Sequence, residues 1–499
     1  MLKSSGSMAF ATMTSRVLGM FREMVYARFM GDGWVTGAFQ VAFTIPNLFR
    51  RLLGEGALTA AFIPVFKEKE RTAGEKEMWR AANAVISGLV VASAAVIVLV
   101  LIGISIALGV HEFSAQTDLM LRLLRWMFPY MLFVCLAAAC MGMLNARGHF
   151  FIPAMGATML NVVMISSVLF LAPHWGKVLH EQIFALALGV LVAGVAQAAF
   201  QMPTLWKDGF RYQWVFPWKD ETVRRVVRQM IPGTIGVAAF QINVAFIQGL
   251  GLILDRPEQP LIAPFNYAVR LMELPQGVFG ISLATFLLPT LAGLAAEKNY
   301  TEFRSTLRHG IGYLIFVNLL MSVLLITLAE PIIRLLFERG RFDHGATLRA
   351  SLALQCLAGS LVAYSLVNVL ARAFYALGDT KTPMKISLVC LGVNLVLSVS
   401  LVWLFRQGGL GLANTASSAV NVALLFFALK KKMGKLEMGA LRSMLWPLAI
   451  AIAVATGLSI WGSHLWETRV AIAGFPFKLG AVFVPGTIAG AAYWAIAHA

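Results

Sequence analysis

Apolar runs of membrane-spanning length follow one another from end to end of this chain, and that pattern constrains its fold more than any other feature. A spanning helix needs about 20 predominantly apolar residues. Fourteen segments meet that rule, at roughly 7–30, 35–66, 80–109, 119–145, 151–172, 182–205, 223–253, 262–295, 303–329, 346–377, 383–405, 411–430, 441–465 and 476–497. Only 13% of the 499 residues are charged, about half the share found in soluble domains. The expected fold is an all-α polytopic membrane protein with 14 transmembrane helices.

The formal net charge of +17 raises nucleic acid as a partner. The basic residues, however, fall in short patches between apolar runs, as in the cytoplasmic loops of membrane proteins, so no nucleic-acid partner is expected. KEKERTAGEKEMWR, the stretch 207–228 and KKKMGK at 430–435 all lie on one side if the N-terminus is cytoplasmic, and an even span count returns the C-terminus to that side. The stretch EPIIRLLFERGRF at 330–342 is basic yet falls on the outer side; its spacing suits a short interfacial helix. Cys135, Cys140, Cys356 and Cys390 lie in apolar segments without metal-type spacing, as buried thiols do. The first apolar segment carries Arg16, Arg22, Glu23 and Arg28 and has no small-residue cleavage site, unlike a signal peptide.

Two echoes suggest an internal duplication. MLNARGHFFIPAM at 143–155 resembles FYALGDTKTPMK at 374–385, each with a glycine (Gly148, Gly378) and a proline five residues later (Pro153, Pro383). AAFIPVF at 60–66 likewise resembles TFLLPTL at 285–291. Common helix-ending turns are the plainer account of either echo alone; two at nearly the same offset favour six spans repeated, with spans 13 and 14 appended.

The chemistry lies in charges placed where they are costly. A charge at mid-bilayer costs about 2.5–3.5 kcal/mol on insertion scales, yet span 1 carries Arg16, Arg22 and Glu23. Span 2 carries Asn47, Arg50, Arg51 and Glu55, and span 8 carries Arg270 and Glu273. Arg16 and Glu23 share a helix face, while Arg22 is expected to point roughly 120° away. Pro46 and Gly54 predict a bent or broken span 2. One account is structural: Arg51 pairs with Glu55, Arg28 reaches an interface, and Arg16 pairs with Glu23. The arginines nonetheless outnumber the carboxylates, and a bound anion would supply the balance. The planar guanidinium fork, which keeps its charge, suits phosphate oxygens.

SRVLGMFRE, AFQVAFTIPNLFRRLLGEGALTAAFIPVF and YAVRLMELPQGVFGISLATFLLPTL resemble the MurJ (MviN) family of lipid II flippases, in the multidrug/oligosaccharidyl-lipid/polysaccharide exporter superfamily. The resemblance covers essentially the whole chain. It implies two six-helix lobes forming a V-shaped central cavity, with an N-lobe over 1–210, a C-lobe over 211–435, and spans 13–14 over 436–499 forming a lipid-tail groove. It further implies a monomer of the bacterial inner membrane that moves the undecaprenyl-diphosphate-linked peptidoglycan precursor from the cytoplasmic to the periplasmic leaflet, with lipid II and membrane lipids as its partners. Its substrate arginines fall on Arg16, Arg22, Arg50 and Arg270 and its acidic residues on Glu23 and Glu273; Asn47, Arg51 and Glu55 of span 2 are the further supporting candidates. The family's usual acidic residues are replaced here by Gly37 and Val269, which weakens any mechanism needing an ion pair there.

No cofactor is expected; the membrane potential or a monovalent cation would drive transport. Asn243, Asn394 and Ser398 are ion-site candidates by resemblance, with buried polar helix contacts as the plainer account. The rival functions are a polysaccharide-lipid flippase or a drug exporter of the same superfamily, and an integral-membrane enzyme. The enzyme would draw on Glu330, Glu338, Asp343 and His344, the one outward cluster of such groups in the sequence.

Overall fold

A computed structural model describes residues 2–54, 58–256, 258–434, 439–470 and 474–498, together with Ala57. Among these residues the chain is helical, with one isolated bridge between Arg256 and Gln259 and no strand. It divides into two compact units, Met1–Pro260 and Leu261–Ala499. The first unit holds α1 (Leu2–Met30), α2 (Trp34–Phe49), α3 (Ala57–Val110), α4 (Ala115–Met127), α5 (Tyr130–Ala146), α6 (Phe151–Ser166), α7 (Ala172–Trp175), α8 (Leu179–Lys207) and α9 (Glu221–Leu254). The second holds α10 (Ile262–Pro275), α11 (Ser282–Ala296), α12 (Tyr300–Thr327), α13 (Ala329–Leu336), α14 (His344–Ala358), α15 (Ser360–Ala376), α16 (Lys381–Phe405), α17 (Gln407–Met433), α18 (Gly439–Arg469) and α19 (Phe475–His498).

Nine of the described helical stretches are long and apolar enough to cross a bilayer, and two bent pairs raise the number to eleven. The bent pairs are α4 with α5, turned by 45°, and α14 with α15, turned by 41°. The first bend follows from Pro129, which has no N–H to continue the ladder. The remaining three of the fourteen expected spans are the first, second and seventh. The first two are the charged ones, so the groups that interrupt their apolarity are the candidate functional groups. The seventh, α9, offers Gln241–Leu254 as its apolar part.

The two echoed glycines share a backbone turn. Gly148 and Gly378, 230 positions apart, both take positive φ (89° and 72°). The amide that follows each glycine reaches back five residues: His149 donates to the Leu144 carbonyl and Asp379 to the Phe374 carbonyl, both at 2.9 Å. Both are helix-ending turns of the Schellman type. A π-helical turn also interrupts each half upstream of its echoed proline: Arg50–Gly54 before Pro64, and Gln276–Ile281 before Pro289.

Lipid tails are as apolar as leucine, so packing between spanning helices depends on fit and small residues rather than on burial from water. Gly194 of α8 shows this: a Cβ there would lie 2.7 Å from the Tyr130 ring and 3.0 Å from the Phe133 Cβ. In the second unit, Leu291, Phe303, Leu314, Val369 and Leu429 form one core. The two appended helices join a second core through Leu448, Ala451 and Tyr493, whose hydroxyl donates to the Phe316 carbonyl at 2.7 Å. In the first unit, α9 packs on α3, where Val223 and Pro217 lie against Gly88. Glu68 takes both guanidinium nitrogens of Arg225, at 2.7 and 2.8 Å. The Arg225 hydrogen bond holds the Glu68 carboxyl below its ordinary range.

Candidate functional site: arginines beside helix breaks

The charged face of α1 is buried. Arg22 and Glu23 are 9% and 7% exposed, and the Arg22 Nη2 donates to Glu23 Oε1 at 2.5 Å. Neighbouring helical residues leave the axis about 100° apart, so the arginine must curl back to reach its neighbour. This corrects the expectation that Arg22 points away from Glu23: its long stem lets the guanidinium return although its Cβ diverges. The guanidinium also lies 5.4 Å from the centre of the Tyr26 ring, one turn on. Tyr26 meets Phe39 of α2 edge-on at 6.1 Å. The Arg22 Nε is buried and has no acceptor among the described residues. Arg16 is half-buried two turns earlier.

Arg50 opens the π-helical turn that ends α2. Pro46 within α2 weakens the regular ladder, and the Arg50 amide points to the carbonyls of both Asn47 and Pro46. Asn47 donates to the Phe43 carbonyl at 2.8 Å, and its Oδ1 accepts from Arg50 Nε at 3.2 Å. A neutral amide therefore helps to orient Arg50. Arg51 is half-buried beside it. Glu55, its expected partner, lies outside the described residues. Gly37 is buried within α2.

In the second unit Arg270 and Glu273 pair at 2.8 Å across one turn of α10, their side chains 43% and 46% exposed. Pro275 ends α10, and the π-helical turn follows at once. Val269 is half-buried beside Arg270. Arg50 and Arg270 thus share a local device: each stands within two turns of a proline and beside a π-helical turn. Such turns shift the side-chain register and recur at functional sites.

The ion-site candidates fall into different settings. Asn394 and Ser398 lie one turn apart on α16, 3% and 0% exposed. Asn394 Nδ2 donates to Asn414 Oδ1 at 3.2 Å and to Ser417 Oγ at 3.0 Å, and the Tyr364 hydroxyl donates to Asn414 at 3.1 Å. Asn394 Oδ1 and Ser398 Oγ have no partner among the described residues. Two neutral oxygens are a weak cation donor set, and no group of three or more His, Cys, Asp or Glu side chains gathers among the described residues. Asn243 belongs to α9 in the first unit, with its buried Oδ1 also without a partner there. The sequence reading missed Tyr364, Asn414 and Ser417; their polar spacing on apolar helices was the available signal.

The acidic cluster expected on the outer side is engaged in structural contacts. Glu330 pairs with Arg334, which also bonds Glu467 at 2.8 Å. Asp343 caps α14 through the Ala346 amide at 2.7 Å. Glu338 accepts from Thr347 at 2.8 Å and from Lys478 at 3.4 Å, and faces His344 at 3.4 Å. Burial pushes the Glu338 carboxyl up, but the bonds from Thr347, His344 and Lys478 outweigh it and hold the group below its ordinary value. The short helix expected over 330–342 forms over Ala329–Leu336.

A family model described as "Lipid II flippase MurJ" matches residues 26–479. A probable lipid II flippase MurJ of Vibrio cholerae is 32% identical over 479 residues, spanning 92% of this chain and 89% of that protein. A probable lipid II flippase MurJ of Bdellovibrio bacteriovorus is 34% identical over 514 aligned positions, spanning 100% of this chain and 94% of that protein. Among solved structures, a lipid II flippase MurJ in an inward closed conformation matches 98% of each chain with a TM-score of 0.78 at 22% identity. An inward-facing multidrug transporter of the MATE family matches 84% of this chain and 96% of its own, with a TM-score of 0.67 at 15% identity. At such identities the structural likenesses speak for the fold.

Proposed function

The chain belongs to the lipid II flippase MurJ family, and from that premise we propose that it carries lipid II from the cytoplasmic to the periplasmic leaflet of a bacterial inner membrane by alternating access. The similarity to relatives named as probable lipid II flippases over nine-tenths or more of the chain carries this reading. It favours lipid II over the polysaccharide-lipid and drug substrates of the wider superfamily.

The diphosphate of the headgroup is the group that arginines bind best, because the guanidinium fork meets two phosphate oxygens at once. Arg16, Arg22 and Arg50 of the first unit and Arg270 of the second are its proposed ligands. Glu23 and Glu273 hold Arg22 and Arg270 in place and compete with phosphate, which limits affinity and allows release. Binding must differ between the two access states, or no net transport results. A membrane potential acts on the net charge moved at about 2.3 kcal/mol per charge per 100 mV and is the proposed drive. A monovalent cation near Asn394 and Ser398 is the weaker proposal, because their oxygens are neutral. The distribution of basic loops supports a cytoplasmic position for both termini. The chain acts as a transporter.

Complementation tests this function. A Gram-negative strain depleted of its own flippase and expressing this chain should expose lipid II on the outer leaflet and resume growth. Good membrane expression without lipid II exposure would overturn the assignment.

A further inference from the structure

Between the last residue of α8, Lys207, and the first of α9, Glu221, the chain runs as a strap outside any spanning helix. Four large aromatic side chains stand on it at alternate positions: Tyr212, Trp214, Phe216 and Trp218, exposed by 48, 56, 60 and 58%. The exposure is built in, because the strap is fastened to α3 along its other edge. Asn83 donates to the Arg211 carbonyl at 3.0 Å, the Val215 amide to Ser87 Oγ at 3.3 Å, and Ser87 meets the Tyr212 hydroxyl at 3.2 Å. Pro217 is buried next to Gly88. The backbone, Val215 and Pro217 are thus committed inward and Tyr212 turns its hydroxyl to Ser87, which leaves the Trp214, Phe216 and Trp218 rings facing out.

Exposed rings on the spanning helices meet lipid tails, but that does not account for rings on a connecting strap. The strap joins the ends of two long helices on a basic face: stretch 207–228 holds six Lys or Arg against three Asp or Glu. Trp and Tyr favour the headgroup layer, where a ring can be half apolar and half wet. Basic residues beside them attract anionic headgroups. We infer that residues 211–219 form an anchor in the interface of the bilayer, with the aromatic comb inserted among the headgroups of an anionic lipid surface. This surface is separate from the arginines assigned to substrate, so it stands whether or not the chain carries lipid II.

The test uses the full-length chain with its four cysteines replaced by alanine and a nitroxide placed singly at 213, 214, 216, 218 or 219. After reconstitution into phosphatidylglycerol vesicles, labels at 214, 216 and 218 should be more accessible to oxygen than to a water-soluble nickel chelate. Labels at 213 and 219 should show the reverse, and the contrast should shrink severalfold in phosphatidylcholine. High chelate accessibility at all five sites would mean a solvated loop and overturn the inference. Shielding of the comb from both reagents would mean a protein partner or the chain itself covers it, which also overturns it. A second measurement leaves the cysteines in place. Subtracting the emission of a Trp214→Phe/Trp218→Phe variant isolates the pair, which should be quenched severalfold more by brominated lipid than by iodide; stronger quenching by iodide would contradict the anchor.

Discussion

Replacing Arg270 with alanine separates substrate binding from folding better than any other arginine change. The Arg270–Glu273 pair is nearly half exposed on both sides, and such pairs are worth about 0–1 kcal/mol. Loss of this pair should therefore lower folding stability by less than about 1 kcal/mol. The loss in binding should be larger. A fork on a diphosphate makes two charge-assisted hydrogen bonds of about 1.5–3 kcal/mol each, or roughly 3–6 kcal/mol together. At about 1.4 kcal/mol per tenfold, this is roughly a 100- to 10,000-fold loss in affinity. Arg270→Lys keeps the charge and loses the fork, so about half that free energy should disappear. The assay is titration of the purified protein with undecaprenyl diphosphate, read by native mass spectrometry beside thermal unfolding. Undiminished affinity in Arg270→Ala would refute the role given to this residue. A fall in stability matching the fall in binding would refute the claim that the pair is structurally minor.

Arg22 should behave differently. Arg22→Ala removes the Arg22 guanidinium from the buried Glu23, and breaking a buried pair costs up to about 3–5 kcal/mol; unfolding of the variant should come at lower temperature, and an unchanged melting temperature would contradict a stabilising role for the pair. Gly194→Ala places a methyl 2.7 Å from the Tyr130 ring, and overpacking of this kind costs about 1–3 kcal/mol, measurable as earlier thermal inactivation in detergent. The Asp379 carboxyl is held down to about 2 by Lys432, the Thr382 amide and the Thr382 hydroxyl. Its pKa is depressed from an unfolded value of about 3.9, so its stabilising effect is present above that value and lost as pH falls from about 4 through 2. Asp379→Asn should be less stable than the parent at pH 7, with the difference closing towards pH 2; a difference that persists there would show the ionised carboxylate is not its source.

Much of the fold was legible because a bilayer accepts few solutions: long apolar runs must be helices, and eleven of fourteen stand out by apolarity and length. The turns at Gly148 and Gly378 were readable because positive φ favours glycine. The π-helical turns were less so. Pro46 and Gly54 warned of a break, but an extra residue in a helical turn is settled by what packs around it. The curl of Arg22 onto Glu23 was also hidden, since helical spacing fixes where a Cβ points and a long side chain then chooses its partner. For Asn394 and Ser398 the sequence showed polar atoms on an apolar helix, while their partners Asn414 and Ser417 come from the next helix and are brought to them by packing.

Purified protein in sealed proteoliposomes gives the most direct test. Lipid II is placed in the inner leaflet, and an external enzyme that cleaves only accessible headgroups reports its arrival outside. The native chain should transfer lipid II well above protein-free vesicles, and an Arg22→Ala/Arg50→Ala/Arg270→Ala variant reconstituted to the same density should not. Equal transfer by that variant would contradict the claim that these arginines carry the diphosphate across.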